Sequence, residues 1–331
     1  MHAPVIDRSR LLEHSSLQTV QKETIAQVQD IVRDFLCRVG YQLGSPFTPP
    51  NPELRAEIAA EVLSWNAGLD FETAYAIMDT SCTIAESGYS YMPPEYQRLV
   101  AYFTAYAVYV DDLGHRDLEA LGQAIGRFVT RQPLEDPVLE RLVGQFQEMY
   151  DYFPRLSADS INASTLEGLV GMYTEFSRGD AAVAPGAVLF PGFLRVQTGF
   201  ARSYAHFNFA KGWRDPADTS YLQLIPPLVH FINAAKRYAP PTTYRSDILS
   251  FYKEVVKGEN DNYIHQRAAA EQKDPLKVLR ELVEETLDHI RQAETLTSAD
   301  PELSNLYRGH LMGYIEFHFR AKRYLLDDLQ L

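Results

Sequence analysis

The chain has 331 residues, of which 46% are hydrophobic, 12% aromatic and 23% charged, a balance that excludes a disordered protein and supplies a large core. Two cysteines, Cys37 and Cys82, exclude a disulfide scaffold and are too few for a zinc site, so a reducing compartment is expected. The net charge of −13 offers no general basic field to nucleic acid, and the absence of an 18-residue apolar run or a signal-like start predicts a cytoplasmic protein without a membrane segment.

Apolar residues recur at three- and four-residue spacing almost throughout, and alternating runs are scarce, which predicts an all-α fold. The first helix is expected over 16 to 42, where Leu17, Val20, Ile25, Val28, Ile31, Val32, Phe35 and Val39 form one stripe. Further helices are expected over 52 to 66, 70 to 86, 94 to 113, 117 to 131, 137 to 154 and 158 to 178. The remainder read as 190 to 211, 217 to 238, 242 to 258, 275 to 297 and 301 to 326. Asx-Pro pairs at Asn51-Pro52, Asp136-Pro137, Asp215-Pro216, Asp274-Pro275 and Asp300-Pro301 mark helix starts, because the Asx side chain caps free amides while proline needs no donor in the first turn.

The segments PFTPPNP (46 to 52) and GDAAVAPGAVLFPG (179 to 192) are loops too short to part domains, so residues 1 to 331 read as a single domain, with an N-terminal helix and loop over 1 to 50. No repeat period, glycine-rich phosphate loop, HExxH or GxSxG occurs, which removes the solenoid, common nucleotide, zinc-protease and serine-hydrolase readings.

Three segments could carry chemistry. VYVDDLGHRD (108 to 117) ends an apolar helix on two adjacent carboxylates, Asp111 and Asp112. Negative charge opposes the helix dipole there and the two acids repel, so either a cation relieves them or the helix simply surfaces at that point. In SDILSFYKE (246 to 254), Ser246, Ser250 and Glu254 fall within about 80° of one another on a helical wheel, with Lys253 close by. Hard oxygens of this kind suit magnesium, and lysine suits a phosphate, although a polar stripe is also what a solvated face looks like. Near the C-terminus, Arg323 and Tyr324 could donate to one anion or serve the helix end. Arg195, a single charge within LFPGFLRVQTGF, must be paired or anion-binding if it is buried.

In this order the segments resemble the class I terpene cyclases, and most of all the fungal trichodiene synthase type. That family carries an aspartate-rich motif, here Asp111-Asp112-Leu-Gly-His-Arg-Asp117. Its metal-binding triad, (N/D)Dxx(S/T)xx(K/R)E, is matched here by Ser246-Asp247-Ile-Leu-Ser250-Phe-Tyr-Lys253-Glu254, and its terminal Arg-Tyr pair by Arg323-Tyr324. The resemblance spans residues 60 to 327, the catalytic core that it implies. One position departs, Ser246 standing where the family has Asn or Asp.

The resemblance implies a single class I terpenoid synthase helical bundle around a central apolar cavity, holding three Mg²⁺ ions and the diphosphate of an isoprenoid substrate, with homodimerisation common. The implied activity is ionisation of farnesyl diphosphate and cyclisation to a sesquiterpene. Asp111, Ser246, Ser250 and Glu254 are the implied metal ligands, with Asp111 and Glu254 indispensable for turnover. Lys253, Arg323, Tyr324 and Arg195 are the implied diphosphate donors, and Asp112 the partner of Arg323. Helical spacing places Thr104, Ala107 and Val108 on the cavity side below Asp111, with Tyr314 and Phe317 as wall candidates from the last helix. The alternatives are an isoprenyl chain-elongating synthase, for which a second aspartate-rich motif is wanting, and a relative that lost activity at Ser246 and only binds.

Overall fold

A computed structural model describes residues 8–42, 45–179, 181–198, 200–215, 217–235, 248–249, 251 and 262–321. Helices α1 (Arg8–Val39), α2 (Pro52–Ser64), α3 (Phe71–Gly88) and α4 (Pro94–Leu113) open the chain, followed by a 3₁₀ turn (Gly114–Asp117). Then come α5 (Leu118–Val129), α6 (Pro137–Tyr152) and α7 (Arg155–Arg178). After these, α8 (Phe190–Thr198), α9 (Ala201–His206), a 3₁₀ turn (Ser220–Leu224), α10 (Ile225–Ala235), α11 (Tyr263–Glu271), α12 (Pro275–Thr297) and α13 (Pro301–Arg320) complete an all-α bundle, and no strand occurs among the described residues.

Four of the five Asx-Pro starts cap as expected. Asn51 Oδ1 accepts from Glu53 N and Leu54 N, and Asp136 Oδ1 from Val138 N and Leu139 N. Asp274 accepts from Leu276 N and Lys277 N, and Asp300 from Leu303 N. The fifth differs: Asp215 closes a turn on Ala217 N, and helical structure starts only at Ser220. Two further differences concern continuity. The helix expected over 190 to 211 is two helices broken at Phe200, whose φ of 48° is left-handed. A helix between the expected 258 and 275 boundaries, α11, is capped by Asn262, which accepts from His265 N.

Helix α4 lies in the middle of the bundle, buried from Leu99 to Val108 except at Tyr102 and packed on α2, α3, α6 and α7. Its neighbour α3 is held by α13, and Gly313 makes that approach feasible, since a Cβ there would lie 2.1 Å from the Ser87 carbonyl oxygen. No helix among the described residues is long and apolar enough to cross a membrane. Cys37 is exposed and Cys82 buried, both as free thiols.

Inside α13 two imidazoles are wholly buried. The Nδ1 of His310 faces the Gly88 carbonyl at 3.1 Å and that of His318 the Tyr314 carbonyl at 2.7 Å. Burial pushes both rings down to about 4. Both are therefore neutral in the native state while an unfolded imidazole titrates near 6.5, so the unfolded chain binds more protons between about pH 6.5 and 4 and stability falls as pH falls through that window. Each ring contributes up to about 1.4 kcal/mol per pH unit there. Thermal unfolding followed from about pH 7.5 to 5 should show a falling midpoint, with a shallower slope in His310→Gln; equal slopes would show that this ring does not couple protons to folding.

Candidate active site

At the last turn of α4, Asp111 is 4% exposed, flanked by buried Val110 and Leu113, while Asp112 beside it is half-buried. The acids thus sit where the helix dipole opposes them, and Asp111 is shielded from most solvent relief. Asp117, the third acid of the motif, is structural, since its Oδ1 accepts from Ala120 N and caps α5. Seven residues down α4, about 10 Å below Asp111, Thr104 lies on the same helical stripe. It is fully buried, as are Ala107 and Val108.

The interior at that depth is aromatic. Tyr204 of α9 donates its hydroxyl to Thr104 Oγ1 at 3.1 Å, and Tyr89 donates to the Tyr204 carbonyl at 2.6 Å. Phe103 sits edge-on to Phe200, Tyr204 and Phe207, with centroids 6.2, 5.7 and 5.0 Å away. Tyr314 and Phe317 of α13 are buried together at 5.8 Å, and Tyr314 meets Phe231 of α10. All five wall candidates named from the sequence are therefore interior.

The second motif falls mostly outside the described residues: Ser246, Ser250, Lys253 and Glu254 are not among them, nor are Arg323 and Tyr324. Its apolar members can be placed. Ile248, Leu249 and Phe251 are buried, the Ile248 amide donates to the Ala234 carbonyl at 2.9 Å, and Phe251 packs on His265 of α11. Half-buried Arg195, at the last turn of α8, donates its Nη2 to the Asn233 carbonyl at 2.7 Å. Arg195 and Ile248, a member of the second motif, thus meet adjacent carbonyls at the end of α10.

Among the described residues no cluster of three His, Cys, Asp or Glu side chains could hold a metal by itself. The donor set of carboxylates and hydroxyls named above nevertheless has the hard-oxygen chemistry that magnesium takes. Two open clefts, of about 420 and 580 Å³, flank Trp213 near Pro154 and Tyr96. Tyr96 is fifteen residues from Asp111 along α4, about 22 Å, so these concavities lie at the opposite end of the bundle from the paired acids.

Residues 69–330 match the family model described as Trichodiene synthase (TRI5). The chain belongs to that family. Among curated relatives, Terpene synthase 29 of Postia placenta is 30% identical over 312 residues, covering 93% of this chain and 86% of its own. Terpene synthase BipA of Cochliobolus sativus is 29% identical over 289 residues, covering 84% of this chain and 85% of its own. The bundle is also similar to the crystal structure of linalool/nerolidol synthase from Streptomyces clavuligerus in complex with 2-fluorogeranyl diphosphate. The TM-score is 0.55 at 13% identity, over 85% of this chain and 98% of that one, a likeness of fold. Membership makes this chain a terpene synthase of the all-α class.

Two groups of residues escaped the sequence reading. The aromatic floor of Phe103, Phe200, Tyr204 and Phe207 had a signal in the spacing of FARSYAHF, which puts Phe200, Tyr204 and Phe207 on one helical face. The other is a buried ion network. Arg55 grips Glu86 through Nε and Nη2 at 3.0 and 2.9 Å and Asp79 through Nη1 at 2.8 Å, and Arg320 reaches Glu86 at 2.6 Å. The Asn51 amide adds a bond to the same carboxylate at 2.9 Å.

Proposed function

We propose that this terpene synthase is a magnesium-dependent sesquiterpene cyclase that ionises farnesyl diphosphate, closes the resulting carbocation into a ring and releases diphosphate. The observation that carries the reading is the succession along α4: a buried carboxylate at the last turn, a stripe of small buried residues beneath it, and an aromatic floor two turns down. The acids stand at one end and an apolar interior shielded from solvent lies below, which is what ionisation followed by cation chemistry requires. The C15 chain length is carried over from the trichodiene synthase family.

Asp111 on one side, and Ser246, Ser250 and Glu254 on the other, would hold the metal. When bound, Mg²⁺ offsets the negative charge that develops on the departing diphosphate. Lys253, Arg323, Tyr324 and Arg195 donate hydrogen bonds to the phosphate oxygens, and Asp112 receives Arg323. The allylic C–O bond breaks with its electron pair staying on the diphosphate, which leaves the positive charge on carbon. Buried ring faces of Phe103, Tyr204, Phe207, Tyr314 and Phe317 attract that charge without attacking it, and their packing keeps water away until a proton is lost from carbon or a water is admitted.

Incubation with geranyl, farnesyl and geranylgeranyl diphosphates and Mg²⁺, followed by analysis of volatiles, tests the proposal: cyclic C15 products from farnesyl diphosphate support it. Longer diphosphates as products would indicate a chain elongase, and binding without turnover a degenerate relative. Ser246→Asn restores the family's usual ligand, and the Mg²⁺ concentration for half-maximal turnover should stay equal or fall. A complete loss of turnover in that variant would point to a ligand geometry different from the family's.

A further inference from the structure

The break between α8 and α9 is held by an unusual pair. Phe200 is a bulky residue in the left-handed region, with φ 48° and ψ 11°, a conformation that costs energy and persists only where the surroundings fix it. Room for its ring is provided by a missing side chain on α7. A Cβ on Gly168 would stand 2.3 Å from Phe200 Cε1 and 2.6 Å from Cζ, and one on Gly171 would stand 2.8 Å from the Gln197 backbone carbon. Gly168 is therefore a seat into which the Phe200 ring is pressed, and Gly171 lets α8 approach closely enough for the ring to reach it.

The ring's other edge faces the interior. Phe200 is 1% exposed and meets Phe103 at 6.2 Å with planes at 83°, and Phe103 in turn packs on Tyr204, whose hydroxyl bonds Thr104 below Asp111. The seat thus determines how far the Phe200 ring projects toward the aromatic floor.

We propose that Gly168 is a positioning residue that governs product specificity, by seating Phe200 so that its ring sets the contour of the floor on which the carbocation folds. The inference rests on the cyclase reading above. It goes beyond that reading because Gly168 lies outside the cation's own surroundings and acts only through Phe200. A methyl group at Gly168 must push the ring out by about 1 Å to recover ordinary contact. Competing ring closures and proton losses of one cation differ little in barrier, and a tenfold change in a product ratio needs only about 1.4 kcal/mol. Ionisation depends mainly on the metal ligands at the end of α4 and in 246–254, and Arg195, five residues before Phe200, keeps its own bond to the Asn233 carbonyl, so diphosphate release should change less than the product ratio.

The test uses the full chain with farnesyl diphosphate and Mg²⁺, reading diphosphate release and product distribution together. Gly168→Ala is expected to change the ratio of major to minor products by about tenfold while diphosphate release stays within about threefold of the parent. The double variant Gly168→Ala with Phe200→Leu should give the product distribution of Phe200→Leu alone, since without the ring the added methyl has nothing to displace. A Gly168→Ala enzyme with the parent's product ratio, or product changes that simply add in the double variant, would overturn the inference while leaving the cyclase reading intact. If Gly168→Ala does not fold, Phe200→Leu alone decides: an altered distribution supports the role of the ring, and an unaltered one overturns it. A parent chain that releases no diphosphate overturns the cyclase reading, and this inference with it.

Discussion

Replacing Asp111 by alanine is expected to lower turnover of farnesyl diphosphate by at least about a hundredfold, the scale of loss when a group that stabilises developing charge is removed. The fold should survive. Asp111 sits buried at the C-terminal turn of α4 beside a second carboxylate, a position that the helix dipole and like-charge repulsion both disfavour. Removing it leaves the apolar core face of α4 intact, so helix content should be retained while activity collapses. Glu254→Ala should lose turnover to the same degree. Circular dichroism, thermal unfolding and release of inorganic diphosphate measured on the same preparations check the pairing of effects. Near-normal turnover in both variants would place the metal elsewhere, and loss of fold in Asp111→Ala would make that acid structural.

The placing of Asp111 and Asp112 at the end of an apolar helix is also why this part of the site is legible in the sequence. Two acids ending an apolar helix violate a local rule, and such violations gather at functional sites. Helix starts are legible for the same local reasons, as Asn51, Asp136, Asp274 and Asp300 show by capping the amides that follow them. What cannot be read is whatever depends on distant partners. Gly199 is a local hint of a break before Phe200, but the seat of the Phe200 ring, at Gly168 on another helix, cannot be read locally. Helix α11 is only nine residues long, too short for periodicity to separate it from a loop. Glu86 reads as an ordinary acid near a helix end until Arg55 and Arg320, 31 and 234 positions away, are folded onto it.

That network supplies the largest expected effect on stability. The Glu86 side chain is 2% exposed and that of Arg320 7%. Glu86→Ala therefore leaves one guanidinium buried with a bond to the Ser87 hydroxyl and a 3.6 Å contact to Glu316, and deprives Arg55 of its two bonds to Glu86. Loss of one member of a buried ion pair costs about 3–5 kcal/mol. The Asn51 amide also loses an acceptor, which loosens the segment entering α2. The exposed pair of Arg38 and Glu284 offers an internal control, since its members are 35% and 56% accessible; Arg38→Ala should cost no more than about 1 kcal/mol. Chemical denaturation of both variants compares the two directly. Equal, small losses would mean that the Glu86 cluster is hydrated and contributes like any surface pair. Replacing Glu86, Asp79, Arg55 and Arg320 together by apolar residues of similar size should be less harmful than Glu86→Ala, because the paired charges leave together.

In the proposed mechanism the end of α4 and the segment 246–254 cooperate through magnesium to expel diphosphate above an aromatic chamber. Release of inorganic diphosphate from farnesyl diphosphate, titrated with Mg²⁺ in the parent chain and in Asp111→Ala, tests that cooperation most directly. Release is expected to rise with Mg²⁺, stop on chelation and yield a cyclic C15 product, with Asp111→Ala nearly silent at every Mg²⁺ concentration. Release that is indifferent to chelation, or equal in the two proteins, would contradict it.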